Sequence, residues 1–257
     1  MTLTLADVVD AKRRIADGIY LSPCPESIPL SELCGARIFC KLDYLQRTGS
    51  FKERGARNAL LLLDSSQRER GVISASAGNH ALGLAYHGKL LSIGVTVVMP
   101  RFAPLIKRTT CRNLGAEIIL HGESFGEAYA EALELAQQRG LTYIHGFDDP
   151  AIIAGQGTLG LEILEQVPGV EAIVVPIGGG GLAAGVALAV KSIMPAVQII
   201  GVEPEQAAGF TAALAANKPV KVAVQPTVAD GLAVGKVGET AFSVAAPRLD
   251  QVVIVNE

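Results

Sequence analysis

No CxxC pair occurs in the sequence, and no histidine stands at zinc-ligand spacing from a cysteine. Cys24, Cys34, Cys40 and Cys111 are scattered, which argues against a structural metal site or a disulfide framework. They read as buried apolar residues of a reducing compartment, so a cytoplasmic protein is expected. There is also no basic stripe. Lysine and arginine are dispersed and the formal net charge is −3, so nucleic acid is not an expected partner. The opening stretch MTLTLADVVDAKRRI acquires charge by Asp7 and has the period of an amphipathic helix, which does not read as a signal peptide. One uncharged run has membrane length, the 19 residues from Ala172 to Val190, but Pro176 and four glycines interrupt it. It reads instead as a buried strand, a glycine loop and a buried helix. Tandem repeats, low-complexity tracts and Ser/Gly-rich linkers are missing too.

What is present describes a globular α/β chain. Its 257 residues are enough for one large domain or two lobes, and 49% hydrophobic content with a mean hydropathy of +0.37 excludes disorder. Short apolar runs at 37–42, 72–75, 94–99, 117–120, 173–177 and 198–202 alternate with helical stretches such as Ser124 to Arg139. That alternation predicts parallel sheets covered by helices. In such sheets ligands bind beyond the carboxyl ends of the strands, so the strand-to-helix loops are where chemistry is expected.

Three stretches stand out. In RTGSFKERGA, Ser50 and Glu53 have capping-box spacing and predict a helix with Ser50 as N-cap. Lys52 then falls at the second helical position, where the dipole disfavours a cation. With Arg47 and Arg54 nearby, its pKa is expected to fall, which would make it a nucleophilic amine. The turn Ser76-Ala77-Gly78-Asn79-His80, between an apolar run and a helix, has the donors for a carboxylate. Gly178, Gly179, Gly180 and Gly181 lie between a buried strand and a helix and form a phosphate cradle, since a purely structural turn needs only one or two glycines. Gly179, Gly181 and Ala184 also satisfy a GxGxxA fingerprint, with Glu203 about where a ribose-binding acid belongs, so a nicotinamide oxidoreductase is one alternative. It leaves Lys52 and the Asn79 turn without a task. Pyridoxal 5'-phosphate uses all three: an amine for a Schiff base, glycines for the phosphate, and a polar turn facing cofactor and substrate.

KLDYLQRTGSFKERGA, SASAGNHALG, HGFDDPAIIAGQGTLGLEIL, VPIGGGGLAAG and PTVADG resemble, in order and spacing, the threonine/serine dehydratase branch of the pyridoxal-phosphate enzymes of tryptophan-synthase-β fold. The likeness extends over roughly residues 5 to 255. It implies Lys52 as the Schiff-base lysine and catalytic residue, with Phe51 beside the cofactor. It implies Asn79 at the cofactor's ring oxygen, Gly178 to Gly181 and the Leu182 amide at its phosphate, and Ser76, Ala77, Gly78, Asn79 and His80 around the substrate carboxylate. Two lobes are implied, a small one at 46–147 and a large one from 1–45 and 148–257. Homo-oligomers, dimers or tetramers, go with the resemblance, as does a small amino-acid substrate.

The implied activity is β-elimination from L-threonine or L-serine to 2-oxobutanoate or pyruvate plus ammonia, with Lys52 moving the α-proton. Racemising and hydroxyaspartate-dehydrating relatives are alternatives. Racemising relatives place a serine where this chain has Ala77, so elimination is expected to dominate. Some relatives hold a cation near Glu203, but Gly209 stands where they supply a carboxylate, so no metal is expected. His87, His121 and His145 read as structural or solvated, and Asp148 and Asp149 as loop or cap residues. Relatives continue past the position of Glu257 with elements that reach the cofactor's pyridine nitrogen. The large lobe is therefore expected to lack its C-terminal part, with a non-catalytic remnant as a competing reading.

Overall fold

The β-branched runs of the sequence become two parallel sheets in the computed structural model, which describes residues 3–257. The first has the order β3-β2-β1-β4, from β1 (Val72–Ala75), β2 (Val95–Met99), β3 (Glu117–Leu120) and β4 (Thr142–Tyr143). Every residue of β1 and β2 is buried, as central strands covered on both faces require. The second sheet, β5-β6-β7, contains β5 (Ala172–Pro176), β6 (Gln198–Pro204) and β7 (Gln251–Val255). Around them, in chain order, stand α1 (Leu5–Ile15), α2 (Ile28–Cys34), α3 (Lys52–Leu61), α4 (Ser65–Arg70), α5 (Asn79–Leu91) and α6 (Leu105–Asn113). The series continues with α7 (Phe125–Arg139), α8 (Pro150–Gln166), α9 (Gly181–Ile193), α10 (Gly209–Ala216) and α11 (Glu239–Ala245).

One expected strand is absent. Residues 37–42 join neither sheet; they pair antiparallel with 23–27, through Ser27 N–H to the Ile38 carbonyl (2.7 Å) and Cys40 N–H to the Pro25 carbonyl (3.0 Å). Pro23 and Pro25 accept in this ladder but have no N–H to return to Leu42 and Cys40, so the pairing is half-bonded and stays a single bridge.

The S-x-x-E pattern also has two outcomes. At α7 it forms a capping box, Ser124 Oγ accepting from Glu127 N–H (3.2 Å) and Glu127 Oε2 accepting from Ser124 N–H (3.1 Å). At α3 it does not. Phe51 is the N-cap, Lys52 is the first helical residue, and Ser50 Oγ has no partner. The Glu53 carboxylate accepts from Thr48 N–H and lies 3.3 Å from His87 Nε2, so it is not available to close the box.

Helix α8 organises the interior by touching two helices at their backbones. A Cβ on Gly155 would lie 2.6 Å from Gly55 Cα of α3, and one on Gly185 of α9 would lie 2.3 Å from the Ile153 carbonyl oxygen of α8. Only hydrogen fits at either crossing. The helix carrying Lys52 and the helix that follows the glycine run are thus both seated on α8. A buried ionic cluster adds to the first seat. Arg54, fully buried, donates to Asp43 Oδ1 and Oδ2 (2.8 Å each) and to Glu162 Oε1 (2.6 Å) and Oε2 (2.8 Å), and Lys41 Nζ lies 2.6 Å from Glu162. Two cations face two carboxylates, so the charges balance where water cannot reach them.

Candidate active site

Four chain segments that begin helices converge. Lys52 opens α3, and its Nζ donates to the Gly146 carbonyl (2.7 Å). The Phe51 ring centroid lies 5.3 Å from that Nζ. Gly146 belongs to the segment between β4 and α8, and a Cβ on it would sit 3.4 Å from the His80 imidazole. The next residue, Phe147, covers the glycine run: its ring is 2.3 Å from where a Gly179 Cβ would be, and its carbonyl 2.5 Å from a Gly181 Cβ. One peptide therefore separates the lysine contact from the cradle contact.

Burial lowers the Lys52 pKa to about 8. The expected cause, dipole and neighbouring arginines, is corrected: Arg54 is turned into the buried cluster with Asp43 and Glu162, away from the amine. Desolvation alone penalises the ammonium. His80 is lowered further, to about 3, by burial and by the Lys52 charge. Its imidazole is 4% exposed with Nε2 3.4 Å from the Ile144 carbonyl, so its side chain is turned inward. What His80 offers the turn is its backbone N–H. Within that turn Ser76 N–H donates to the Val98 carbonyl (3.1 Å), Ser76 Oγ accepts from Gly78 N–H (3.2 Å), and Ser76, Ala77, Gly78 and Asn79 are half-buried. Gly78 is the N-cap of α5, so the free N–H groups of the first helical turn face out of it.

The count of glycines is a weaker argument for phosphate than the sequence suggests, because each has a packing or backbone reason. Phe147 excludes side chains at Gly179 and Gly181, a Gly178 Cβ would lie 3.0 Å from Leu232 Cα, and Gly180 has φ +91°. The stronger argument is hydrogen bonding. Among the described residues, the N–H groups of Gly178, Gly179, Gly180, Gly181 and Leu182 have no protein acceptor, although Gly179, Gly180 and Gly181 are buried. A row of unpaired buried N–H groups running into the start of α9 fits an anion such as a phosphate.

The segment 145–149 is the part that sequence reading undervalued. His145 Nδ1 accepts from Phe147 N–H (3.2 Å) and Asp148 N–H (2.9 Å), which needs a neutral ring; burial lowers its pKa accordingly. Asp148 accepts from Glu239 and Ala241 N–H (3.0 Å each) at the start of α11, and Asp149 from Ala151 N–H (2.7 Å) at the start of α8. Both are cap residues, as expected. The Asp-Pro step at the head of α8 was a legible cap signal; the carbonyl aimed at Lys52 had none.

Glu203 is fully buried, and Phe210 N–H (2.6 Å), Thr211 N–H (2.8 Å) and Thr211 Oγ (2.8 Å) occupy its oxygens. It is committed to the start of α10 and is no free acceptor for a ribose. Comparison with known proteins agrees. Residues 15–257 match the family described as pyridoxal-phosphate dependent enzyme. The chain belongs to that family. Its cofactor is pyridoxal phosphate and its fold is the α/β arrangement expected. The nicotinamide alternative falls with this. Among curated relatives, this pyridoxal-phosphate-dependent chain is 46% identical to the L-threonine ammonia-lyase of Thermotoga maritima, over 99% of its own length and 64% of the relative's. It is 40% identical to the catabolic L-threonine dehydratase TdcB of Escherichia coli, over 100% and 78%. Among solved structures, the processed threonine deaminase isoform 2 of Solanum lycopersicum superposes with a TM-score of 0.94 at 42% identity, covering 98% of this chain and 69% of that one. Maize serine racemase superposes with a TM-score of 0.96 at 35% identity, covering 100% and 78%.

Proposed function

We propose that this chain deaminates L-threonine or L-serine by β-elimination: the β-hydroxyl leaves as water, and water is taken up again when the resulting enamine hydrolyses, so the products are ammonia and 2-oxobutanoate or pyruvate. The observation that carries the reading is a half-buried amine beside an anion cradle: Lys52 Nζ on the Gly146 carbonyl, and Phe147, the next residue, packed on glycines whose N–H groups are unpaired. Relatives named for threonine deamination support the substrate class.

In this reading Lys52 would hold the cofactor through Nζ, the N–H groups of Gly178, Gly179, Gly180, Gly181 and Leu182 would hold its phosphate, Asn79 would meet its ring oxygen, and Phe51 would lie beside it. The bound cofactor supplies an electron sink that acidifies the carbon next to the substrate amine. The rest falls to the chain. The turn from Ser76 through Ala77, Gly78 and Asn79 to His80 binds the substrate carboxylate through helix-start N–H groups and the Ser76 hydroxyl. Once the substrate amine has displaced it, Lys52 Nζ would take the α-proton; with the free amine's pKa lowered to about 8, part of it is unprotonated near neutrality. The Phe51 ring, its centroid 5.3 Å from Nζ, covers one side of the amine. Ala77 has no proton to give, so a proton can return only from the Lys52 side. That favours elimination over racemisation.

The lobe division 46–147 within 1–45 and 148–257 belongs to the same proposal, supported by each sheet falling inside one of these segments. So does a homo-oligomer, supported by apolar side chains left exposed near one another in sequence, among them Tyr20, Leu21, Ile28, Leu33 and Tyr44. Among the described residues no helix is long and apolar enough to cross a membrane. A cytoplasmic location is supported by four free cysteines.

The test is direct. The protein loaded with pyridoxal phosphate should show a visible band, should release oxo acid from L-threonine or L-serine, and after borohydride should carry the cofactor on the Lys52 peptide. Lys52→Ala should lose all three. A cofactor still trapped by borohydride in that variant would assign the role to another lysine.

A further inference from the structure

Lys107 stands in the first turn of α6 (Leu105–Asn113), the end of a helix where a cation is disfavoured. It is compensated by a side chain from another helix: its Nζ lies 3.0 Å from Asn79 Oδ1, at the head of α5. Both residues are half-buried. The chemistry of this pair decides which way the amide faces. An ammonium has three donors and no acceptor, so the atom turned to Lys107 must be the amide oxygen. Nδ2 is then turned away from Lys107. Among the described residues it has no protein acceptor, so both of its N–H bonds are free for something the protein binds.

We propose that Lys107 is a positioning residue that acts through Asn79, holding its amide so that Nδ2, and not Oδ1, is presented to the site. The inference rests on the pyridoxal-phosphate reading, in which Asn79 meets the ring oxygen. Without Lys107 the amide is free to turn over, and in the turned state it offers an acceptor to an acceptor. The ammonium also polarises the amide, which strengthens its N–H groups as donors. Asn79 alone explains why a donor is there; Lys107 explains why it stays one.

The experiment needs no turnover. Wild type, Lys107→Met, Lys107→Arg, Asn79→Ala and the double variant Lys107→Met/Asn79→Ala are loaded with pyridoxal phosphate. The pH midpoint of the visible band and the cofactor Kd are then measured, with the thermal midpoint as a fold control. Losing a fixed donor leaves the ring oxygen more basic, so Lys107→Met should raise the pH midpoint by about one unit and weaken cofactor binding about tenfold. Lys107→Arg keeps the donors and should stay near wild type, a rescue that a merely structural role would not show. In the Asn79→Ala background Lys107→Met should add nothing. A Lys107→Met midpoint equal to wild type overturns the proposal. So does a shift of full size in the Asn79→Ala background, because Lys107 would then act by its charge alone. A wild type that takes up no cofactor sinks the functional reading together with this one, whereas a normally loaded wild type with indifferent variants sinks only the role of Lys107.

Discussion

The lowered pKa of Lys52 has a cost that should be measurable as stability. In the folded protein the amine titrates near 8, against an ordinary value of 10.5 that the unfolded chain should show. Below pH 8 both states hold the proton, and folding carries the full penalty of enclosing an ammonium. Between the two values the unfolded chain still holds a proton that the folded one has released, so stability rises with pH. Above 10.5 both are neutral and the penalty is gone. At about 1.4 kcal/mol for each pH unit separating the two values, the penalty near neutrality is on the order of 3 kcal/mol. The perturbation is Lys52→Met, which keeps the length of the side chain and removes the charge. Urea unfolding of the cofactor-free wild type and variant, from pH 7 to 10.5, gives a difference curve in which other titrating groups cancel. The wild type should gain on the variant by about 3 kcal/mol across that range, most of it above pH 8. The bond to the Gly146 carbonyl shifts the whole curve but not its slope. A flat difference would refute the reasoning, because the amine would then be no more penalised folded than unfolded.

Three further outcomes are expected. Gly155→Ala places a methyl 2.6 Å from Gly55 Cα, so it should lower stability by about 1–3 kcal/mol and weaken cofactor binding, read by thermal unfolding and cofactor titration; a neutral result would mean that α3 and α8 can separate freely. Arg54→Met leaves the buried Asp43 carboxylate without a cation and Glu162 with Lys41 alone, and should cost about 3–5 kcal/mol in urea unfolding at pH 7, less at acid pH where the unpaired Asp43 takes up a proton. With L-serine as substrate, ammonia release should far exceed D-serine formation, and Ala77→Ser should narrow that gap; chiral analysis showing D-serine made as fast as ammonia by the wild type would contradict the role given to Ala77.

Which parts of this were legible in the sequence follows from where the deciding interaction lies. Strands such as Val72–Ala75 and Gln198–Pro204 were readable because their burial is written into their own residues. Lys52 and the glycine run could each be given a chemistry from sequence, since each motif names its own locally. Residues 37–42 misled because their apolar character is strand-like, while their would-be partner contains two prolines twelve or more residues away. Ser50 misled because Glu53, which should have closed the box, is claimed by Thr48 and by His87 of another helix. The direction of the Lys52 shift was foreseeable, but its cause was not, since only the fold reveals that Arg54 turns inward. Nothing local marks Gly146 as the acceptor for Lys52 or Lys107 as the partner of Asn79; both are contacts between segments with no common motif.

The glycine crossings of α8 make the span between amine and cradle a main-chain dimension. Side chains have rotamers, and a core held apart by them can creep by fractions of an ångström as one aliphatic residue replaces another. Backbone seated on backbone has no such freedom. Sequence drift in the surrounding aliphatic interior can therefore proceed without retuning the distance on which the chemistry depends, so long as Gly55, Gly155, Gly157 and Gly185 are left alone. The active-site spacing is in that sense insulated from the ordinary wear of a hydrophobic core, and four hydrogens are the gauge that keeps it.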